Sequence, residues 1–308
     1  MTDATTHPAI LENEHIRLAV RPERGARVVS FIDKRTGREW LVQGEHISPT
    51  GEDARFGPDA AIGWDECFPT VIPWNAEATP WRRHLRDHGD VWGRPWAVDV
   101  ATGTRLTTRY ASEDFTFIRT LDLEGRALRC RYEVSTTRTQ ALPFAWAMHG
   151  LLAVTPEDRI VLPGIRIVDA GYLNWRGERR LLQSFSWPGP GGVLRLPLNV
   201  VHPAETQLAA KLYAKMPDSA LASVGNESGW LDFSWDADEL PYAGLWLNYG
   251  GWPAPGTVHH ISIEPTTTPG DSPVDFEPGR QPRTLHADKP ASWSITLTCR
   301  EGAALGET

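Results

Sequence analysis

The chain has 308 residues, of which 41% are hydrophobic and 23% are charged, a balance typical of a globular protein with a large core rather than of a disordered chain. Its formal net charge of -8 at pH 7 disfavours a surface that neutralises nucleic-acid phosphates or binds an anionic membrane. No segment approaches the roughly 20 apolar residues of a membrane helix, and the first residues lack the basic and apolar regions of a signal peptide. We therefore expect a cytoplasmic protein without nucleic-acid or membrane partners.

The cysteine content agrees with that compartment. Cys67, Cys130 and Cys299 form no CxxC pair, and three cysteines cannot all be joined in intramolecular disulfides, so a reducing environment suits them. No base stands beside Cys67 in the sequence, and we therefore expect no catalytic role for its thiol.

Short segments in which apolar and polar residues alternate recur along the whole chain. Because a period of two with β-branched residues indicates half-buried strands, these segments predict an all-β protein. In chain order they lie at 15–20, 27–32, 115–121, 128–134 and 293–299, with turn sequences at 33–37, 123–126 and 187–192. The segment from Glu205 to Tyr213 is the best candidate for a short helix.

The number of predicted strands and the length of the chain define the expected architecture. Many antiparallel strands predict a large β-sandwich, whose curved face can hold a ligand in a wide groove. No internal repeat of fixed period and no linker rich in glycine, serine or charge divides the sequence. We therefore predict a single domain over residues 1–308.

Three distant segments each place an ionisable residue in an apolar or aromatic context. His88 is followed by Gly89 and flanked by tryptophans. His149 lies within a nearly uninterrupted apolar strand, where a lone histidine is more often a core residue than a catalyst. Glu264 ends an alternating strand and enters a loop of proline and threonine that reaches Asp271.

In this order, the three segments resemble those of the galactose mutarotase and aldose 1-epimerase family, and the stretch 24–40 is similar to the opening hairpin of that family. The resemblance implies an antiparallel β-supersandwich that needs no cofactor and no metal. It implies an isomerase that interconverts the α and β anomers of a hexose or an anionic hexose derivative. In that reaction Glu264 takes the proton from the anomeric hydroxyl, His149 protonates the ring oxygen, and His88 stabilises the shifting charge.

The reaction itself is consistent with these residue types. Opening a hemiacetal requires that one proton be removed and another be supplied at neighbouring oxygens. The ordinary pKa values of Glu, about 4.3, and of His, about 6.5, lie on either side of the working range. The sequence departs from the family pattern after His149, where Gly150 and two leucines replace an aromatic pair and an asparagine. This departure favours a divergent branch, such as one similar to sugar-phosphate epimerases, and leaves the substrate open.

Further residues are candidates for substrate binding. Carboxylates accept hydrogen bonds from sugar hydroxyls and indoles stack on sugar rings, although the tryptophans could equally be packing residues. Arginine matches phosphate and sulfonate geometry, although a run of charge is more often a solvated surface. On these grounds the expected substrate-binding residues are Trp64, Asp65, Glu66, Arg82, Arg83, Trp92, Trp246 and Asn248. Asp271 is expected to cap its own loop.

Three functional classes are compatible with this pattern. The first is a catalytic aldose 1-epimerase whose only partner is a small-molecule sugar, with a homodimer left open. The second is a non-catalytic protein of the same fold that senses or carries a sugar, which loss of the glutamate or of the second histidine would have favoured. The third is a polysaccharide lyase or hydrolase, which usually needs extra domains that this length scarcely provides.

Overall fold

The structure is a computed structural model that describes residues 7–44, 54–189, 195–275, 277 and 281–303. Regular structure in these ranges is almost entirely antiparallel β-sheet, and short 3-10 turns occur at Pro22–Arg24, Pro58–Ala60 and Ala204–Thr206. Within the same ranges, no helix has the length and apolar character that crossing a membrane requires.

The strands of the described residues follow one another from end to end of the chain. They are β1 (Ala9–Glu12), β2 (Ile16–Arg21), β3 (Arg27–Asp33), β4 (Arg38–Glu39), β5 (Trp64–Cys67), β6 (Trp74–Asn75), β7 (His84–Leu85), β8 (Ala97–Ala101), β9 (Arg105–Ala111), β10 (Thr116–Glu124), β11 (Ala127–Ser135), β12 (Leu142–Pro143), β13 (Ala147–Leu152), β14 (Arg159–Val161), β15 (Ile167–Trp175), β16 (Glu178–Arg179), β17 (Ser184–Ser186), β18 (Leu208–Lys215), β19 (Ser219–Asn226), β20 (Gly229–Asp236), β21 (Tyr242–Tyr249), β22 (His259–Thr266), β23 (Thr284–Leu285) and β24 (Ala291–Arg300).

Two large sheets are formed by these strands. The larger has twelve strands in the order β1-β2-β3-β5-β13-β22-β21-β18-β15-β16, with β4 added to β3 and β17 added to β15. The smaller has eight strands in the order β14-β19-β20-β24-β11-β10-β9-β8. Two-stranded ribbons, β12 with β23 and β6 with β7, lie outside both. The middle of the larger sheet therefore brings together strands from distant parts of the chain.

The core lies between the two sheets. In β11 and β24 of the smaller sheet buried and less buried side chains alternate, because one face packs on the core and the other faces solvent. Aromatic rings from the two sides meet there: Trp146, just before β13, contacts Trp293 of β24 with ring centroids 5.0 Å apart. Phe68, just after β5, contacts Phe117 of β10 at 5.3 Å. The prediction of a large antiparallel β-sandwich is confirmed.

The five alternating segments all form strands, as β2, β3, β10, β11 and β24. The turns at 33–37 and 123–126 connect β3 to β4 and β10 to β11, whereas the turn sequence at 187–192 extends outside the described residues. The predicted helix from Glu205 to Tyr213 is wrong, because a 3-10 turn leads there directly into β18. Seven successive residues of β18 are buried, since the strand is covered on both faces, and such a strand loses the alternation that identifies it.

One face of the larger sheet is turned away from the core at its centre. Successive side chains of a strand point to opposite faces, so β22 sends Ile261 and Ile263 into the core and His260 and Glu264 to the other side. The same alternation on the neighbouring strands places a set of polar and aromatic side chains on that outer face.

Candidate active site

A cavity of about 260 Å³ opens on this outer face, over β13, β22, β21, β18 and β15. Its aromatic wall includes Phe56, Tyr172, Trp246 and Trp252. Its ionisable residues, supplied by the strands and by two loops, are Asp87, His88, His149, Lys211, His260, Glu264 and Asp271. The combination of ring faces with convergent polar groups is typical of a small-molecule site.

The structure brings His88, His149 and Glu264 to the same cavity. Strand β13 pairs with β22 through Ala147 with Thr266 and through Leu151 with Ser262. His149 and Glu264 lie midway between these pairs, at matching positions on neighbouring strands. Two of the three expected catalytic residues are thus held by the sheet, and only His88 is held by a loop.

The backbone of that loop is fixed at His88 and Gly89. His88 has a φ of 59° and Gly89 a φ of 72°, which is the left-handed region that favours glycine. The amide of His88 donates to the carbonyl of Val71 at 2.7 Å. A Cβ on Gly89 would lie 2.0 Å from the carbonyl oxygen of Phe68, so the close approach of the two segments requires a glycine there.

The ring of His88 is oriented from two sides. Phe56 stacks on it, with centroids 3.6 Å apart and an interplanar angle of 11°. The carboxylate of Asp87 lies 3.1 Å from Nδ1, which favours a proton on that nitrogen and turns Nε2 away from the carboxylate. The ring of His149 lies 4.8 Å from that of His88.

His149 is a neutral imidazole at pH 7. Burial is the main cause that lowers its pKa well below the usual value of 6.5, and the Coulombic effects of His88 and then of Lys211 act in the same direction. Its protonated form is therefore rare in the free protein but strongly acidic.

Glu264 is held by a buried lysine that the sequence analysis did not single out. Lys211 of β18 donates to Oε2 of Glu264 across β21, where Gly244 leaves room for it. The Nζ atom of Lys211 lies 4.0 Å from Asp271, which also accepts a hydrogen bond from the hydroxyl of Tyr213. Burial acts to lower the pKa of Lys211, but Glu264 and Asp271 outweigh it, hold that pKa above its usual value and keep the ammonium charged.

The two carboxylate oxygens of Glu264 differ in their hydrogen bonding. Oε1 is buried and has no hydrogen-bond partner within the described ranges. Buried polar atoms nearly always have a partner in the protein, in water or in a ligand. Since Glu264 lines the cavity, Oε1 is the oxygen that a bound molecule would contact.

Trp64 and Asp65, two of the predicted binding residues on β5, do not line the cavity. Asp65 pairs with His149 across the strands, but its carboxylate is occupied by a two-point ion pair with the buried guanidinium of Arg27. Trp64 is fully buried in the core. A strand at the centre of a sheet is covered on both faces, which leaves neither side chain free to contact a ligand.

Glu66 also lies in the core, on the opposite face of β5 from Asp65. Its carboxylate accepts hydrogen bonds from Arg119, Tyr132 and Trp146. Burial raises the pKa of Glu66 to about 7, although these partners act against it. The predicted sugar contact of this residue is therefore replaced by a buried network between the two sheets.

Neither predicted arginine lines the cavity. Arg83 forms ion pairs with Asp90 at 2.5 Å and with Asp114 at 2.9 Å. Arg82 lines a separate surface depression that also contains Glu77. The guanidinium of Arg83 is therefore held by nearby carboxylates and that of Arg82 lies at another part of the surface, so neither reaches the cavity.

The three remaining candidates differ in their placement. Trp246 of β21 lines the cavity as expected. Trp92 is fully buried and donates from its indole to the carbonyl of Asp87 at 2.8 Å. Asn248 is fully buried and bonds the backbone of Trp252 through both its amide atoms. Trp92 and Asn248 thus support lining residues without lining the cavity themselves.

One group in the described part of the chain has the spacing for a metal ion. One ligand atom each of Cys67, His88 and His149 lie within 4.8 Å of one another, which a thiophilic cation such as Zn²⁺ could bridge. Burial, and next the charge of Glu264, raise the pKa of the Cys67 thiol well above its usual value. A metal here would require the thiolate and would occupy both histidines, so it is incompatible with free imidazoles at this site.

Comparison with solved structures identifies the fold. The chain superimposes on a galactose mutarotase related enzyme from Lactobacillus acidophilus with a TM-score of 0.66 and 14% identity, over 96% of this chain and 97% of that chain. It superimposes on a galactose mutarotase-like protein from Clostridium acetobutylicum with a TM-score of 0.65 and 16% identity, over 96% and 99%. A GalM/aldose epimerase homologue from C. elegans gives 0.64 and 12%, over 96% and 99%. These low identities establish the fold alone.

Sequence comparison carries the assignment further. No curated protein matches the chain significantly. The family model described as aldose 1-epimerase matches residues 9–176, which is more than half of the chain and includes His88 and His149. Together with the antiparallel architecture, this match shows that the chain belongs to the aldose 1-epimerase family.

Proposed function

We propose that this protein is a mutarotase that opens and recloses the ring of an aldose by acid–base catalysis. The observation that carries the proposal is the free Oε1 of Glu264, a buried carboxylate oxygen without a partner among the described residues, in a cavity that also contains two histidines. Such an oxygen is suited to accept the proton of the anomeric hydroxyl.

The base is prepared for that step by Lys211. The ammonium donates to Oε2 of the buried Glu264, while Oε1 stays available. When Oε1 takes the proton from the hydroxyl on C1, the C1–O bond becomes a carbonyl and the bond from C1 to the ring oxygen breaks. The electron pair of that bond passes to the ring oxygen, which must receive a proton.

His149 supplies this proton in our proposal. Its low pKa makes the imidazolium a strong acid, at the cost of a small protonated population at pH 7. After rotation about the C1–C2 bond, the same two groups act in reverse, and the ring closes as the other anomer. His88, with its ring oriented by Phe56 and Asp87, donates to or accepts from the oxygens whose charge changes during opening.

The charges around the cavity favour an uncharged aldose. The described lining contains the carboxylates of Asp87, Glu264 and Asp271 but only one permanent cation, Lys211. Because that ammonium is engaged by two of the carboxylates, a phosphate or sulfonate would meet no free positive charge and would be repelled. The proposed substrate is therefore a neutral sugar packed against indole rings.

A second candidate function is a sugar-binding protein without turnover. The neutral state of His149 favours it, because an imidazole that is rarely protonated is a poor source of protons. The cavity would then recognise a sugar through the same groups, with Glu264 as a hydrogen-bond acceptor.

NMR exchange between anomer signals distinguishes the two functions. A panel of free aldoses, with 6-phosphates and a 6-sulfonate included, is measured with wild-type protein, with Glu264→Gln and with Glu227→Gln, a control in an exposed position. We expect faster exchange for a neutral aldose, a loss of about 10²–10⁴-fold in Glu264→Gln as for removal of a general base, and no change in the control. Wild-type turnover in Glu264→Gln would contradict the proposed base.

Binding measured by calorimetry on the same panel completes the test. If a sugar binds and no sugar exchanges faster, the sugar-binding function replaces the mutarotase. If only the phosphorylated or sulfonated sugars are turned over, the argument from the charges of the lining fails.

A further inference from the structure

His260 is a buried cavity residue to which the proposed reaction assigns no role. It lies on the same face of β22 as Glu264 and is only 1% exposed. The indole of Trp246, on the neighbouring strand, donates its N–H to Nε2 of His260 at 3.1 Å. Since an indole nitrogen can only donate, Nε2 acts as the acceptor.

This contact determines where the proton of the ring lies. Burial, and next the charge of His259, lower the pKa of His260 to about 4, so that the ring is neutral at pH 7. A neutral imidazole carries one proton, and with Nε2 accepting, that proton is on Nδ1. His260 is therefore a fixed donor and does not alternate between the two roles.

The donor has no acceptor in the part of the chain that the structure describes. Nδ1 of His260 is buried and without a hydrogen-bond partner. Leaving a buried N–H unpaired is costly, and native proteins rarely do so unless a ligand or water completes the bond.

The surroundings of His260 indicate what kind of ligand this is. Trp252 stands edge-on to Trp246 with ring centroids 6.2 Å apart, and the ring centroid of Tyr172 lies 5.9 Å from that of Trp246. These rings form an aromatic corner, defined as Tyr172, Trp246 and Trp252, beside the free N–H. An apolar ring face combined with a single polar donor suits a sugar, which has apolar C–H faces and hydroxyl oxygens.

The distance along β22 fixes which end of the sugar is concerned. A strand rises about 3.3 Å per residue, so the Cα atoms of His260 and Glu264 are about 13 Å apart. The two side chains therefore contact opposite ends of a ligand. With Glu264 at the anomeric carbon, His260 faces a hydroxyl far from it.

We propose that His260 is a specificity-determining residue, whose Nδ1–H donates to one sugar hydroxyl remote from C1 while the ring packs in the aromatic corner. This inference rests on the proposed function in that the ligand is a sugar, but it does not require turnover. A sugar that lacks the hydroxyl leaves the donor unpaired and binds more weakly.

Two variants separate the two nitrogens of the ring. His260→Gln places an amide oxygen near the former Nε2, where it can still accept from Trp246, and removes the Nδ1 donor. His260→Asn places an amide N–H near the former Nδ1 and removes the acceptor for Trp246. Folding of both is compared with wild type by thermal unfolding, because the position is buried.

Calorimetric binding of D-glucose, D-galactose and their monodeoxy derivatives is then measured for each protein. For the parent sugar that binds best to wild type, we expect His260→Gln to weaken binding about 3- to 10-fold, the loss of one hydrogen bond, and His260→Asn to weaken it less. For one monodeoxy derivative at a carbon other than C1 or C2, His260→Gln should bind as wild type does. An equal loss for every derivative, or no loss for any, would overturn the proposal.

A measurement on the wild-type protein tests the inference even if both variants unfold. The ¹⁵N shifts of His260 report the tautomer directly, and we expect a protonated Nδ1 whose shift moves when the sugar is added. A proton on Nε2, or an Nδ1 signal unaffected by a bound sugar, would overturn the assignment. Because these readouts measure binding, they remain valid if no sugar is turned over, and a failed mutarotase assay is distinguishable from a failed role of His260.

Discussion

Replacement of Lys211 by methionine separates the charge of the buried lysine from its packing. Methionine is unbranched and similar in length to the aliphatic part of lysine, so Lys211→Met keeps most apolar contacts while it removes the ammonium. Glu264, 1% exposed, then retains a negative charge without its partner. Breaking a buried ion pair in this way costs about 3–5 kcal/mol of the free energy of unfolding.

That cost is large beside the total stability of a domain, which is about 5–15 kcal/mol. Urea unfolding at pH 7 should therefore show a clear shift of the midpoint for Lys211→Met. Glu264 can escape the penalty by taking up a proton, which removes the proposed base, so anomer exchange should fall together with stability. The double variant Lys211→Met, Glu264→Gln leaves no unpaired charge at position 264, and Asp271 keeps the hydrogen bond from Tyr213. We therefore expect it to recover most of the stability but none of the activity.

Lys215 provides a matched control on the same strand. Its ammonium lies 2.8 Å from Glu277, and its side chain is 56% exposed. Because exposed ion pairs contribute about 0–1 kcal/mol, Lys215→Met should unfold almost as wild type does. The reasoning would be refuted if Lys211→Met were as stable and active as wild type, or if the double variant were no more stable than the single one.

Four further predictions concern the loop, the histidines and the thiol. In Gly89→Ala the new methyl group would clash with a backbone oxygen at a residue with a left-handed φ. Thermal unfolding should show that the free energy of unfolding falls by about 1–3 kcal/mol, and anomer exchange should slow because His88 is displaced. Turnover should rise as pH falls from 8 towards 6, because the lowered pKa of His149 makes its acid form scarce at neutral pH; a rate that is highest at pH 8 would contradict this role. Burial lowers the pKa of His260 from about 6.5 in the unfolded chain to about 4 in the folded protein, so the neutral ring favours folding above pH 6.5. Urea titrations of wild type should show that about 3 kcal/mol of the free energy of unfolding is lost as pH falls through about 4. This contribution should be absent in His260→Gln. A chelator should leave exchange unchanged, whereas Zn²⁺ should inhibit wild type more than Cys67→Ala; loss of activity on chelation would indicate that a metal takes part.

The sequence was informative where a local pattern carries the structural signal. Alternation predicted five strands, two in the larger sheet and three in the smaller one. The order of His88, His149 and Glu264 predicted a site to which all three residues contribute a side chain. The glycine after His88 was also part of the sequence pattern, and the structure gives its reason: a side chain there would clash with the backbone of Phe68. For these features, the physical cause lies within a few residues of the observed effect.

The remaining features depend on contacts between distant segments. The carboxylates of Asp65 and Glu66 were predicted to bind sugar hydroxyls, but Arg27 and Arg119 pair with them from other strands. Lys211 was missed because its strand is buried on both faces and its pattern resembled a helix. A lysine inside an apolar run was the one available sign of a buried partner charge.

Strand β22 has a consequence for how the protein tolerates changes in chain length. Its even-numbered residues His260, Ser262 and Glu264 face the cavity side, and Ile261 and Ile263 face the core. A substitution on one face leaves the other face intact. An insertion or deletion of one residue would instead turn the polar side chains into the core and the isoleucines into the cavity. We therefore expect length variation to be excluded from this strand and admitted in the loops at either end, even where individual residues of the strand vary.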